Sequence, residues 1–321
     1  MASFGVHHEW DRLKEVVVGI APAEDLVVFH EHSQRWLAPP VDAFSRKHTG
    51  RRLVDIDAAR AKRIERQVEG LAELLTREGV AVHRPQALDG AERTFLAPNA
   101  EGCQLFVRDA MIVVADHVID ASLRLRCRQR ERFGLRPIVQ QFVQYRGARW
   151  SSVPLGSPAG VDGPFLEGGD VLLNGDEVYV GLSGCASDLA GADWLQALLG
   201  ASYRVIPVAM RSNVLHLDWV LGLIKPGLLV HCPQKLIDGL PMSLRGWDKI
   251  EVAANEAHRL ATQSLLLDEE RIVVGADNSR LIEELRRRRL DVIPLPFDGA
   301  IDLGGGLRSV HQPLRRESVL G

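Results

Sequence analysis

The sequence predicts an α/β protein in which a strand–helix–strand unit repeats, and three observations carry that reading. Five short β-branched runs recur along the chain. Three of them are followed by an amphipathic helix and then a second strand that ends near proline. None opens into a glycine-rich nucleotide loop, which favours a closed, repeated arrangement over an open doubly wound sheet. The alternative is an ordinary α/β sandwich whose strands look alike by coincidence.

The runs are Glu15 to Ile20, Ala110 to Asp116, Glu177 to Ser183, Gly227 to Cys232 and Arg271 to Ala276. Each is rich in Val, Ile or Leu, as a strand buried on both faces should be. The first helix starts after Asp57, a suitable N-cap. It carries Ile64, Val68, Leu71 and Leu75 at helical spacing and stops at Gly79. Val80 to Pro85 then reads as a strand. The second copy runs from Trp194–Leu199 into Tyr203–Pro207. The third begins near Asn278, passes Leu281, Ile282 and Leu285, and enters Leu290–Pro294. No low-complexity linker divides the chain, so residues 1–321 are expected to form a single domain. The stretches 143–163 and 234–247 read as long loops of the kind that often cover binding sites.

Composition narrows the function classes. Apolar residues make up 46% and charged residues 25% of 321, ample for a core. Lys plus Arg (39) nearly balances Asp plus Glu (42), for a net charge of -3. That balance argues against nucleic acid or an anionic membrane as a partner. No run approaches the ~18 apolar residues of a spanning helix, and no secretory signal is visible, so a cytoplasmic protein is expected. Cys103, Cys127, Cys185 and Cys232 form neither a CxxC pair nor a disulfide framework.

Four clusters place polar residues at otherwise apolar strand ends: Val107-Arg108-Asp109; Phe165 to Leu173, with Glu167, Gly168, Gly169 and Asp170; Val214 to Asp218; and Leu303 to Ser309, with three glycines ahead of Leu307, Arg308 and Ser309. His216 and Asp218 share a face if extended. Taken singly, each has a plain reading as a turn or a satisfied polar residue. Together, Asp109, Glu167, Asp170 and Asp218 in one pocket would be costly unless a metal or a cationic ligand neutralised them. A guanidinium, planar with five donors in a fixed fork, suits carboxylates on two sides. Histidine near its carbon can serve as acid for a departing amine and later as base.

The order of these clusters resembles the guanidino-modifying superfamily, the penteins, which includes arginine deiminase, dimethylarginine dimethylaminohydrolase and the amidinotransferases. Glu9-Trp10-Asp11 through Gly19 is similar to the amidinotransferase opening. Leu166-Glu-Gly-Gly-Asp-Val-Leu172 looks more like the hydrolases. His216-Leu-Asp218 is similar to both, and Gly304-Gly-Gly-Leu-Arg-Ser309 resembles the motif that holds the nucleophile. The resemblance implies a five-bladed α/β propeller of ββαβ-type units about a pseudo-fivefold axis. It implies a small arginine-like guanidino substrate, with no cofactor and no metal. Asp109 and Asp218 would grip the guanidinium, Glu167 would orient the proton carrier His216, and residue 309 would attack the guanidinium carbon to form a covalent amidino intermediate. Asp170 and Arg308 complete the expected substrate-binding set, Asp170 chiefly as support for the Gly-Gly turn. A hydrolase is favoured, with an amidinotransferase as the alternative.

One position departs from the pattern. The nucleophile site holds Ser309 where the superfamily has cysteine, and a hydroxyl needs a base while His216 is wanted as an acid. Three readings stay open: an engineered exchange that traps substrate, a natural serine with altered chemistry, or a silent guanidino-binding protein. Cys103 and Cys185, beside matched segments, are the stand-in thiols to consider. Thr262-Gln263, where relatives usually carry asparagine, and His311, in place of a small hydroxyl residue, also differ. Arg108, Arg149 and Arg315 are candidates for a substrate carboxylate. A metal-dependent ureohydrolase, suggested by His30-x-His32, lacks the Asp-x-His-x-Asp spacing of a binuclear site. Oligomeric state is not legible.

Overall fold

A computed structural model describes residues 4–21, 27, 31–95, 103–156 and 162–318. Its strands form five three-stranded sheets with one topology: a central strand with an antiparallel neighbour on one side and a parallel neighbour on the other. In the first sheet, Arg12–Val18 lies between His311–Glu317, its antiparallel partner from far along the sequence, and Ala81–His83. The second contains Met111–Val114, His117–Asp120 and Arg149–Ser152; the third contains Val171–Asn174, Glu177–Leu182 and Arg204–Ala209. The fourth contains Leu221–Lys225, Leu228–His231 and Asp248–Glu251, and the fifth Leu265–Leu266, Arg271–Gly275 and Asp291–Leu295.

Each of the five β-branched runs falls in a different sheet. Four supply the central strand. The second supplies the leading edge instead, and the centre passes to His117–Asp120 after a tight turn through Ala115 at φ 49°. The parallel strand needs a crossover. In the first sheet it is the helix Ala58–Arg77, whose first turn is capped by Asp57 Oδ1 accepting from Arg60 N at 2.9 Å. Ile64, Val68, Leu71 and Leu75 are buried on one face, each worth roughly 1.5–3 kcal/mol of transfer free energy. Gly79 at φ +77° ends the helix region in the left-handed conformation. Leu189–Leu199 and Ser279–Arg287 cross over in the third and fifth sheets; Asn278 precedes the latter without a side-chain capping bond.

The expected loop over 143–163 is corrected by the structure. A helix covers Arg136–Arg146 and turns at Gly147 (φ +71°), and Arg149–Ser152 pairs with His117–Asp120 as the parallel strand of the second sheet. This strand is an exposed edge of Arg, Trp and Ser, so it carries no β-branched signature. Residues 157–161 lie outside the described residues. In the fourth sheet, 234–247 holds only short 3-10 turns at Pro233–Lys235 and Met242–Leu244. Among the described residues, no helix is long and apolar enough to cross a membrane.

Candidate active site

One turn per sheet, each immediately before its leading strand, supplies the polar residues of the site. Asp109 lies in the one-turn helix Val107–Ala110 that feeds Met111–Val114. Glu167 precedes the turn Gly168–Asp170, and His216 precedes Leu217–Trp219, which contains Asp218. Gln263 stands two residues before Leu265–Leu266, and Ser309 two residues before His311–Glu317. All six side chains are buried, none more than 3% exposed. Hydrogen bonds stitch these turns together. Arg108 N donates to Ser309 O (3.1 Å), Leu217 N to Asp170 Oδ1 (2.9 Å), Thr262 Oγ1 to Asp218 O (2.7 Å) and Gly306 N to Gln263 Oε1 (2.8 Å), while Ser122 N, just past the central strand of the second sheet, donates to Leu166 O (3.2 Å).

The Gly-Gly pair is dictated by crowding. A Cβ at Gly168 would fall 1.9 Å from Arg108 O, and one at Gly169 would fall 2.6 Å from His216 Nδ1 and 2.9 Å from Asp109 Oδ1. Only glycine leaves room for the imidazole there.

His216 Nε2 donates to Glu167 Oε2 at 2.9 Å, and its Nδ1 lies 3.7 Å from Asp109 Oδ1. Burial works against the imidazolium. Asp109, Glu167 and Asp170 together outweigh it and push the His216 pKa up to about 10. Glu167 is lowered: burial opposes its charge, but the His216 hydrogen bond, Arg128 and Arg124 N favour it. At neutral pH the pair is therefore ionic. Asp109 Oδ2 accepts from Arg128 Nη2 at 3.0 Å, whereas its Oδ1 is buried with no hydrogen-bond partner. The Arg128 guanidinium also grips Glu131 through Nε and Nη2, both at 2.8 Å, and lies 3.9 Å from Glu167. Burial, with Asp109 and Glu167 nearby, pushes Glu131 up to about 7 against the pull of Arg128.

Gln263 joins the second half of the site. Its Nε2 donates to Asp218 Oδ1 (2.9 Å), and its Oε1 accepts from Ser309 Oγ (3.1 Å) as well as Gly306 N. Asp218 Oδ2 accepts from Arg308 Nη1 at 3.1 Å, and Arg308 Nη2 reaches Glu9 Oε1 and Val171 O, both at 2.9 Å. Burial raises the Asp218 pKa despite Arg308.

The structure thus brings Asp109, Glu167, His216, Asp218 and Ser309 into one network of buried turns. Asp170 and Arg308, expected among the substrate contacts, face protein partners instead. Asp170 accepts Leu217 N and Ser187 N with its two oxygens, and burial pushes it up to about 7. The candidates for a substrate carboxylate are also engaged. Arg108 Nη2 meets His311 Nε2 at 3.3 Å, Arg149 pairs with Asp116, and Arg315 pairs with Glu15 and Glu317. Cys185 is buried and its thiol donates to Ser212 O at 3.1 Å; Cys103 Sγ accepts Leu105 N at 3.3 Å. His30 lies outside the described residues, and His32 Nε2 is 2.9 Å from Cys185 O. Asp109, Glu167 and His216 bring potential metal-ligand atoms within 4.8 Å of one another. A metal held there would have to displace the His216 proton that Asp109 and Glu167 favour.

Sequence reasoning missed Arg128 and Glu131 as site residues, because they lie in the 3-10 run Arg126–Leu135, which carries no strand-end signature. It met Gln263 only as a departure. The signal for Gln263 was its place in the fifth unit, equivalent to Asp109 and Ser309 in theirs.

No family model matches the chain. Among curated proteins it is 32% identical over 359 residues to "Putative inosamine-phosphate amidinotransferase 2" of Streptomyces griseus, covering 100% of this chain and 99% of that one. It is 25% identical to the L-arginine:L-lysine amidinotransferase of Pseudomonas savastanoi pv. phaseolicola, over 97% and 94% of the two chains. Among solved structures it is similar to an amidinotransferase from Microseira wollei in the saxitoxin biosynthetic pathway, with TM-score 0.84, 22% identity and 98% of each chain covered. A dimethylarginine dimethylaminohydrolase shares the fold with TM-score 0.67, 16% identity, and 93% and 98% coverage.

Proposed function

The chain belongs to the amidinotransferase family of the guanidino-modifying superfamily, and from that premise we propose that it moves an amidino group from an arginine-like donor to an amine acceptor. The hydrolase favoured from the Glu-Gly-Gly-Asp turn gives way to the transferase. Gly168 and Gly169 answer to Arg108 O and His216, a packing demand that does not distinguish the two branches. The five like sheets, with hydrogen bonds from one turn to the next, support a five-bladed α/β propeller formed by residues 1–321.

The observation that carries guanidinium binding is Asp109 Oδ1, a buried acceptor without a donor beside His216. In this reading Asp109 and Asp218 hold the donor's guanidinium and residue 309 bonds to its carbon. The carbon–nitrogen bond then breaks as His216 passes its proton to the departing amine. The hydroxyl proton of residue 309 restores the imidazolium. The acceptor amine reverses these steps, taking the amidino carbon, while its proton returns through His216 to residue 309. Glu167 holds the imidazolium, and Asp170 and Arg308 hold the turns.

A second reading has an observation of its own. Ser309 Oγ gives its hydrogen bond to Gln263, an amide that cannot take a proton, and among the described residues none joins Ser309 to His216. This favours guanidino binding with slow turnover. Formation of ornithine, citrulline and urea from arginine, with and without a panel of amines, tests both in the native chain and in Ser309→Cys. Transfer requires ornithine formation that depends on the amine and rises at least about 100-fold with cysteine. Citrulline with ammonia, or ornithine with urea, formed without amine supports hydrolysis, and binding with none of these products in either form supports the second reading.

A further inference from the structure

We propose that Gln263 is a positioning residue for the nucleophile, the contribution of the fifth repeat to the site. The proposal rests on the reading of residue 309 as the attacking group. Asp109, Ser309 and Gln263 each stand two residues ahead of a leading strand, in three different sheets. The first two already have roles in that reading. Gln263 occupies the same place in the fifth unit and is 3% exposed, yet it has no role there.

Both ends of its amide are engaged, and in opposite senses. The oxygen accepts from Gly306 N and Ser309 Oγ, and the nitrogen donates to Asp218 Oδ1. One side chain therefore touches three things: the glycine turn that carries residue 309, the hydroxyl of residue 309, and the carboxylate of Asp218. Gly306 is itself shaped to this contact, since a Cβ there would lie 2.8 Å from Gln263 Oε1. Aspartate or asparagine is a methylene shorter and reaches less far from this backbone. Glutamate has the reach, but it would place a second carboxylate against Asp218 and replace the donor to Asp218 with an acceptor. In a cysteine form, that added charge would face the thiolate.

The test uses Ser309→Cys as the parent and adds Gln263→Glu or Gln263→Met. Two readouts separate this proposal from the transfer reading. The pH profile of alkylation of the introduced thiol by iodoacetamide, read on the peptide that contains residue 309, needs no turnover. The kcat and KM for arginine with an amine acceptor report on catalysis. We expect Gln263→Glu to shift the alkylation profile of that thiol upward by about one unit or more, about tenfold slower alkylation at pH 7. We expect Gln263→Met to lower kcat at least tenfold with KM changed less than threefold, and thermal melts to show both variants folded. If the Glu form does not fold, the Met form, which matches the glutamine in size without its polar bonds, carries the comparison. Coincident alkylation profiles for the parent and the Glu form, or an unchanged kcat in the Met form, would overturn the proposal. An amine-independent reaction that is still sensitive to Gln263 would leave it standing and count against the transfer reading alone.

Discussion

Replacing Glu167 with glutamine should lower the stability of the protein at neutral pH and spare it at alkaline pH. The wild-type His216 pKa stands near 10 against an ordinary value of 6.5, with burial outweighed by Asp109 and Glu167. A shift of that size is on the order of 5 kcal/mol in favour of the folded imidazolium, counting every carboxylate around it. Because the folded pKa is the higher one, this stabilisation is fully present below about pH 6.5 and is lost as pH climbs through 10. Glu167→Gln keeps an acceptor 2.9 Å from Nε2 but removes its charge, while Asp109 at 3.7 Å and Asp170 remain. The cost should be about 2–3 kcal/mol at pH 7, the range for one hydrogen bond to a charged group. The His216 pKa should fall by one unit or more. Urea unfolding of both forms at pH 7 and pH 10, with 15N-histidine NMR to follow the ring, measures both quantities. The stability gap should shrink by at least half at pH 10. A constant gap, or a wild-type His216 that titrates near its ordinary value, would refute the ionic pair.

Three further perturbations address the network from other sides. Asp109→Asn removes the open acceptor's charge and should raise the arginine Kd at least about tenfold by calorimetry; an unchanged Kd would place the guanidinium elsewhere. Asp170→Ala strips the acceptors from Ser187 N and Leu217 N and should cost about 2–4 kcal/mol by urea unfolding, since two buried donors are left unpaired. A loss within the error of the urea titration would show that the turn does not depend on Asp170. Gly169→Ala drives a methyl to 2.6 Å from His216 Nδ1, so arginine binding should fall at least tenfold. Retained binding would mean that the imidazole can move aside at no cost.

How much could be read from the sequence depended on whether a residue's surroundings are local. Buried strands advertise themselves through β-branched runs, so one strand of every sheet is legible, together with the proline-ended parallel strand of the first, third and fifth sheets and the helix Ala58–Arg77 with its Asp57 cap and Gly79 stop. Arg149–Ser152 was not visible, because its pairing with His117–Asp120 is a long-range choice made by a polar, exposed edge. The site divides in the same way. Asp109, Glu167, His216, Asp218 and Ser309 sit where polar residues break apolar strand ends. Arg128 and Glu131 reach the same carboxylates from an irregular turn, and nothing in their spacing marks them. Asp170 and Arg308 were legible as polar, yet their partners, a backbone N–H and a distant Glu9, exist only once the chain has folded.

The most direct measurement follows the amidino carbon itself. Ser309→Cys incubated with arginine labelled at the guanidino carbon, without acceptor, is quenched in acid, digested and mapped by mass spectrometry. The label should sit on the peptide containing residue 309 and should pass to an added amine in a chase. Label on another residue, or none on the protein while labelled citrulline or urea accumulates, would contradict transfer through that position.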